Sequence, residues 1–426
     1  MSETLRPVVI CGATRIPFCR SNTAYSDLSN LDMLGTTLRG LVERCNLKGE
    51  RIGEVNAGAV ITHSKDWNLA REAVLSSGLS AETPGLTLQQ ACGTSLQGAL
   101  GAAAKIAAGH IDSAIAAGSD TTSDVPVVFG RRFARRLAGL SRAKTAGQRL
   151  SLLKGFSPGE LKPVAPSVNE PRTLMSMGQH CERMAREWEI TRQEQDELAL
   201  QSHLKAAAAY DDGFFDDLLT PCEGVWRDNN LRADSTLEKL ASLRPAYDKS
   251  SSGTLTAGNS TPLTDGASAM LLASEDWARA HELPVMARLT AFETAAVDFV
   301  GGEGLLMAPA VAVSRMLQRT GLSLQDFDYY EIHEAFAAQV LCTLKAWESA
   351  EYCRERLGRD APLGSIDRTK LNVKGSSLAL GHPFAATGAR VTATLAKLLQ
   401  KKGSGRGLIS VCTAGGMGVT AILEAV

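Results

Sequence analysis

The chain holds nine cysteines, yet no two are spaced Cys-x-x-Cys. That absence argues against a zinc site and against a thioredoxin-like redox motif. An odd set of irregularly spaced thiols in a chain of 426 residues points to a reducing compartment, and a cytoplasmic location is expected. Charge of one sign is also missing. The net charge is −1, so the chain as a whole has no nucleic-acid signature. No stretch of about 18 or more uncharged apolar residues occurs, which excludes a spanning helix. The first seven residues have neither an apolar core nor an Arg-rich amphipathic pattern, so no secretion or transit signal is expected. Aromatic residues are few, at 5%, while glycine (39 residues) and alanine are abundant, which suits closely packed helices and tight loops.

What remains is an ordinary globular composition, 44% apolar and 21% charged. The length suggests about two or three domains. Short apolar runs at residues 8–10, 111–117, 269–273, 329–332 and 408–411 read as buried strands, with helical stretches between them. The pattern is α/β, with helix-covered sheets.

A weak internal repeat is visible. A loop holding Cys92 leads into a small-residue helix over 96–108, a turn at Gly109, and a strand ending at Gly118. A loop holding His382 leads into a helix over 384–399, a glycine-rich turn, and a strand ending near Gly415 and Gly416. Two similar βα domains about a pseudo-dyad would explain this order and would bring both loops to one site. Between them, residues 125–250 differ in character. Residues 131–154 carry eight basic side chains and no acid, leaving −9 for the remainder. Phe129, Phe133, Leu137 and Leu140 form an apolar stripe at helical spacing. A basic amphipathic helix can lie on an anionic membrane, dock a partner or gather phosphate-bearing ligands, and a solvated face of an inserted subdomain explains it equally well. Thr191 and Glu194 form a capping box that opens a long helix through Tyr210.

Four loops carry chemistry. Cys92 lies in Gln89-Gln90-Ala91-Cys92-Gly93-Thr94-Ser95, just before a helix, where the dipole favours a thiolate able to attack an acyl group. Buried packing is the usual fate of a lone cysteine. His333 follows a strand in His333-Glu334-Ala335-Phe336-Ala337. Gly381-His382-Pro383 places Pro383 at a first helical position, with the ring of His382 exposed at the helix N-terminus. Residues Val411 to Gly418 end a strand in Cys412 and then expose backbone N–H groups able to hold an oxyanion. A pyrophosphate loop is excluded there by the lack of Gly-x-Gly-x-x-Gly or a Walker lysine.

Taken together, these motifs resemble the four catalytic loops of the thiolases. Gly253-Thr254-Leu255-Thr256-Ala257-Gly258-Asn259-Ser260 and Thr264-Asp265-Gly266-Ala267 are similar to that family's coenzyme A-binding stretch. The resemblance runs through essentially the whole chain in the expected order. The His-Glu-Ala-Phe form and the basic stretch are similar to the β subunit of the trifunctional fatty-acid oxidation complex and its bacterial counterparts. Many thiolases have Asn in place of His333, and Gly is usual in place of Ala414.

The resemblance implies a thiolase-like fold, layered α-β-α-β-α, with residues 1–124 and 251–280 as an N-terminal domain, 125–250 as an inserted loop domain and 281–426 as a C-terminal domain. It implies thiolysis of 3-ketoacyl-CoA, with Cys92 as nucleophile, His382 as its base and Cys412 as the acid and base of the second step. A Cys412 thiol near its ordinary pKa would serve both directions. His333 and His382 would form one oxyanion site, and the N–H groups of Cys92 and Ala414 the other. Met177, Thr261 and Phe336 would line the pantetheine tunnel. No metal and no cofactor is implied, because coenzyme A is a substrate. The expected partners are acyl-CoA and CoA, a homodimer or tetramer, a hydratase/dehydrogenase α subunit, and peripheral membrane contact through 129–154. An acetoacetyl-CoA-forming acetyltransferase is the alternative activity. A decarboxylating ketoacyl synthase is disfavoured by Cys412, and a non-catalytic CoA- or lipid-binding scaffold by the full catalytic set.

Overall fold

A computed structural model describes residues 5–164 and 167–426. Its strands, in chain order, are β1 (Val8–Arg15), β2 (Cys19–Arg20), β3 (Glu54–Gly58), β4 (Gly85–Thr87), β5 (Ser113–Asp120), β6 (Val128–Phe129), β7 (Pro163–Val164), β8 (Thr264–Ser274), β9 (Ala287–Ala296), β10 (Tyr329–Ile332), β11 (Arg406–Thr413) and β12 (Met417–Glu424). One strand path runs β10-β11-β12-β9-β1-β8-β5-β3-β4, with β2 against β8 and with β6 and β7 paired apart. The path has a seam. Strands β1 and β9 pair only at Val9–Arg288 and Ile10–Ala287, whereas β1/β8 and β9/β12 pair along most of their length. The seam divides one continuous sheet into β1, β3, β4, β5 and β8 on one side and β9 to β12 on the other. Strand β8 arrives after the inserted region yet sits between β1 and β5.

The central strands β5 and β8 are buried at every residue although they are rich in Ala, Ser and Gly. Small side chains let helices press close on such a sheet. Gly118 shows the limit, because a Cβ there would stand 2.0 Å from the Ala385 carbonyl oxygen.

The repeated order is present in three dimensions. Helix Thr94–Ala107 leads to β5, and helix Thr387–Lys402 leads to β11. The two helices pack on each other within one apolar cluster. Gly388 makes the crossing close, since a Cβ there would lie 2.4 Å from the Leu96 nitrogen. Ala389 N–H donates to Ser95 Oγ at 2.8 Å across the same contact. The loops that precede these helices, holding Cys92 and His382, thus meet at one place.

The inserted region is mostly helical. Thr191 and Glu194 cap helix Arg192–Asp211 as expected. Helix Arg131–Arg142 carries Phe133, Leu137 and Leu140, but Phe129 belongs to β6 and not to the helix. Arg136 is spent inside this region, with Nε on Glu160 at 2.8 Å. Among the described residues, no helix is long and apolar enough to cross a membrane.

Candidate active site

The nucleophile loop is held in a strained shape. Ala91 adopts φ 46°, a left-handed conformation costly for a side chain with a Cβ. Thr94 fixes the turn: its Oγ1 accepts from Gln90 N–H at 2.9 Å and donates to the Ala91 carbonyl at 2.7 Å. Gly93 is the N-cap, so Cys92 stands just outside the helix.

His382 sits 3.1 Å from Cys92 Sγ through Nε2, and its Nδ1 is 2.5 Å from Thr387 Oγ1. Its ring is not exposed as expected: only 4% of the residue is accessible. Pro383 also falls outside the helix, with ψ 105°. The cause lies in its neighbours. The Asp120 carboxylate accepts the Ala385 N–H at 2.8 Å, a short 3-10 turn covers Phe384–Ala386, and the α-helix begins only at Thr387. The His382 N–H donates to Thr264 Oγ1 at 2.8 Å. Thr264 to Ala267 are all buried, and Asp265 accepts from Thr122 N–H at 2.7 Å, so this end of β8 braces the site loops.

His333 leaves β10 with its N–H on the Ser410 carbonyl at 2.8 Å. Asn372, itself at φ 44°, clamps that strand end: Oδ1 accepts from Ile332 N–H and Nδ2 donates to the Glu334 carboxylate. The imidazoles of His333 and His382 have ring centroids 4.1 Å apart. Nδ1 of His333 is 2.8 Å from Ser377 Oγ, while its buried Nε2 has no partner among the described residues. Cys92 Sγ and one ring nitrogen from each histidine lie within 4.8 Å of one another. As a donor set they suit a soft divalent ion, which would consume the nucleophile.

Cys412 faces Gly418 across the β11/β12 hairpin and is 1% accessible. It lies in the same apolar cluster as Phe336, with Met177 packed against that cluster. Thr261 binds the Ala335 carbonyl through both N–H and Oγ1, next to Phe336. In the turn after Cys412, the Gly415 N–H is taken by Glu170 Oε1 at 2.9 Å, so the whole glycine run is not free to bind an oxyanion.

The electrostatics depart from expectation. The helix terminus does not yield a resting thiolate. Burial pushes the Cys92 thiol up to about 12, against the downward pull of the Ala414 and Cys92 N–H groups. Cys412 is raised well above its ordinary value, first by burial and then by Cys92, so it is not a thiol of ordinary pKa. Burial lowers His382 to about 3 and holds His333 well below its usual range. All four groups therefore rest neutral near pH 7. The structure places these four side chains in one neighbourhood, together with Ser377, Thr387, Asn372 and Arg390, which sequence reasoning did not single out. Ser377 and Asn372 stand just ahead of Gly381-His382-Pro383, and Thr387 and Arg390 just after it, so proximity to that motif was the available signal.

A thiol bonded to a neutral imidazole and approached by backbone N–H groups, with a second buried thiol close by, defines a two-thiol acyl-transfer enzyme. Comparison with known proteins narrows the class. Family models for "Thiolase, N-terminal domain" and "Thiolase, C-terminal domain" match residues 8–276 and 283–425. The chain is 40% identical to a 3-ketoacyl-CoA thiolase of Yersinia pestis (strain Pestoides F), over 98% of this chain and 96% of that protein. Among solved structures, the acetyl-CoA acetyltransferase of Bacillus anthracis aligns with TM-score 0.83 and 31% identity over 100% of both chains. Human mitochondrial 3-ketoacyl-CoA thiolase in complex with CoA aligns with TM-score 0.81 and 29% identity over 99% of both. The chain belongs to the thiolase family.

Proposed function

We propose that this chain is a 3-ketoacyl-CoA thiolase, cleaving 3-ketoacyl-CoA with CoA to acetyl-CoA and a shortened acyl-CoA in fatty-acid degradation. The observation that carries the reading is the 3.1 Å contact between Cys92 Sγ and His382 Nε2. Cys92 attacks the C3 carbonyl while its proton passes to His382. The oxyanion at C3 is held by the N–H groups of Cys92 and Ala414, the two that already aim at the sulfur. When the C2–C3 bond breaks, the acetyl-CoA carbanion takes its proton from Cys412. Its thioester oxygen lies against His333 Nε2 and the protonated His382. Cys412, now a thiolate, removes the proton from the incoming CoA thiol. CoA attacks the Cys92 thioester, and the departing Cys92 sulfur recovers its proton from His382. Met177, Thr261 and Phe336 line the pantetheine path in this reading.

The test is a rate profile against 3-ketoacyl-CoA esters of increasing length, in parallel with Cys92→Ala. Thiolysis of medium or long esters, lost with Cys92→Ala, is expected. Condensation of two acetyl-CoA as the dominant reaction would favour the acetyltransferase alternative. Carbon dioxide release from malonyl-CoA would favour a decarboxylating synthase.

The basic inserted face is the second element of this proposal, as a peripheral contact with anionic membrane. Its support is that Phe129, Leu137, Leu150 and Leu153 are exposed beside the basic residues of 131–154. Binding to anionic vesicles should fall when Arg131, Arg132 and Arg135 are replaced together, and unchanged binding would remove this route. A homodimer or tetramer, an α-subunit partner and a cytoplasmic location belong to the same proposal.

A further inference from the structure

The two site imidazoles have opposite duties in the reading above, on which this inference rests. His382 must turn a bare Nε2 toward the thiol. His333 must turn an Nε2–H toward the substrate oxygen. In a neutral histidine, the partner of the other ring nitrogen decides which of these is presented. For His382 that partner is Thr387, which can accept an Nδ1–H.

For His333 the partner is Ser377, with Oγ 2.8 Å from Nδ1. The same Oγ is 2.5 Å from Arg390 Nη2. A guanidinium donates and never accepts, so Ser377 must accept from Arg390. Its single hydroxyl hydrogen is then left for His333 Nδ1, which must be bare. The reverse arrangement, Nδ1–H pointing at Ser377, would strand that hydroxyl hydrogen in a fully buried site. Nε2, buried and without a partner among the described residues, is then the protonated nitrogen.

Arg390 is well anchored for this role. It is 1% accessible, and its Nη1 donates to Ser376 Oγ at 2.9 Å. Burial lowers its pKa to about 10, which leaves it charged at neutral pH. We propose that Arg390, acting through Ser377, locks His333 in the Nε2–H tautomer, so that a neutral ring offers a permanent hydrogen-bond donor to the thioester oxygen of acetyl-CoA. Ser377 and Arg390 are positioning residues, since neither touches the reacting atoms. A site of this kind offers a donor to developing negative charge while the His333 ring itself stays neutral.

The experiment compares Ser377→Ala, Ser377→Thr, His333→Ala and the Ser377→Ala/His333→Ala double variant. Acylation of Cys92 by an acyl-CoA donor and steady-state thiolysis are both followed. Ser377→Ala should lower thiolysis kcat by about 10²-fold with KM and acylation little changed, the loss expected when one oxyanion donor is disabled. Ser377→Thr, which keeps the hydroxyl, should recover most of that loss. Ser377→Ala should cost nothing further once His333 is gone. Retained acylation certifies that the variants fold. Nitrogen-15 spectra of labelled histidine, assigned by the signals lost in His333→Ala, should place the proton of His333 on Nε2 in the native enzyme and shift it toward Nδ1 in Ser377→Ala. A native Nδ1–H, or full thiolysis by Ser377→Ala while His333→Ala is impaired, overturns the tautomer lock alone. Full thiolysis by His333→Ala overturns the oxyanion reading beneath it.

Discussion

Cys92 and His382 are 3.1 Å apart, and burial drives their pKa values in opposite directions, to about 12 and about 3. A resting thiolate–imidazolium pair is thus disfavoured, and the proton moves as the carbon–sulfur bond forms. The pH profile follows. Neither group changes charge between about pH 5 and 9, so acyl-enzyme formation from a saturating acyl-CoA donor should be nearly flat across that range. Stopped-flow acylation measures this, and a bell with limbs near pH 6 and 8 would contradict it. In the proposed mechanism Cys412 acts in the other half of the reaction. Cys412→Ala should keep acylation by an activated acyl donor, whose leaving group needs no acid, and lower thiolysis by about 10²–10⁴-fold, the usual worth of a positioned acid or base. Full thiolysis by that variant would remove Cys412 from the mechanism. The residues proposed to react were legible because each stands next to glycine, proline or an element end in the sequence. Their charge states were not, because desolvation depends on what packs around them, and the N-terminal position of Cys92 argued in the wrong direction.

Two helices do most of the assembly, and Gly388 is where they touch. A Cβ at Gly388 would lie 2.4 Å from the Leu96 nitrogen and 2.9 Å from Ser95 Oγ. Backbone cannot yield as a side-chain tip can, so Gly388→Ala must part the helices that follow the Cys92 and His382 loops. The expected cost is about 1–3 kcal/mol of stability by denaturant titration, with a slower acylation step. A variant as stable and as fast as the native chain would show that the crossing does not set the thiol–imidazole distance. At this scale the sequence was readable where the apolar runs are pure: Tyr329–Ile332 was placed to the residue, and the helix after Cys92 to within two. It was unreadable in β3 and β9. Strand β3 buries Glu54 and Asn56, and β9 leaves every other stretch half-exposed with Arg, Thr and Glu, so neither gives an apolar run. Helix starts slipped where a distant side chain intervenes, as Asp120 does at Ala385.

The internal repeat was visible in the sequence as an order of elements, but the interleaving of β8 was not, because nothing local says that residues 264–274 return between β1 and β5. That return makes the first half dependent on chain beyond the inserted region. The whole molecule also shares one proton balance. Burial pushes Glu331 up to about 8 and Asp120 up to about 7. Burial lowers His203 to about 4 and His382 to about 3. The two sets act with opposite sign. Below about pH 6.5 the unfolded chain takes up protons that the buried histidines refuse, so stability falls as pH drops toward 3. Above about pH 4.3 the unfolded chain releases carboxyl protons that Glu331 and Asp120 retain, so stability falls as pH rises toward 8. Each group contributes a slope of up to about 1.4 kcal/mol per pH unit inside its own window. Urea titrations from pH 4 to 9 should therefore give a maximum in mildly acid solution, with a decline on both sides. Glu331→Gln cannot release a proton, so it should flatten the alkaline limb and leave the acid limb in place. An alkaline limb of unchanged slope in that variant would mean that Glu331 is already ionised in the folded protein, paired with the Arg390 guanidinium.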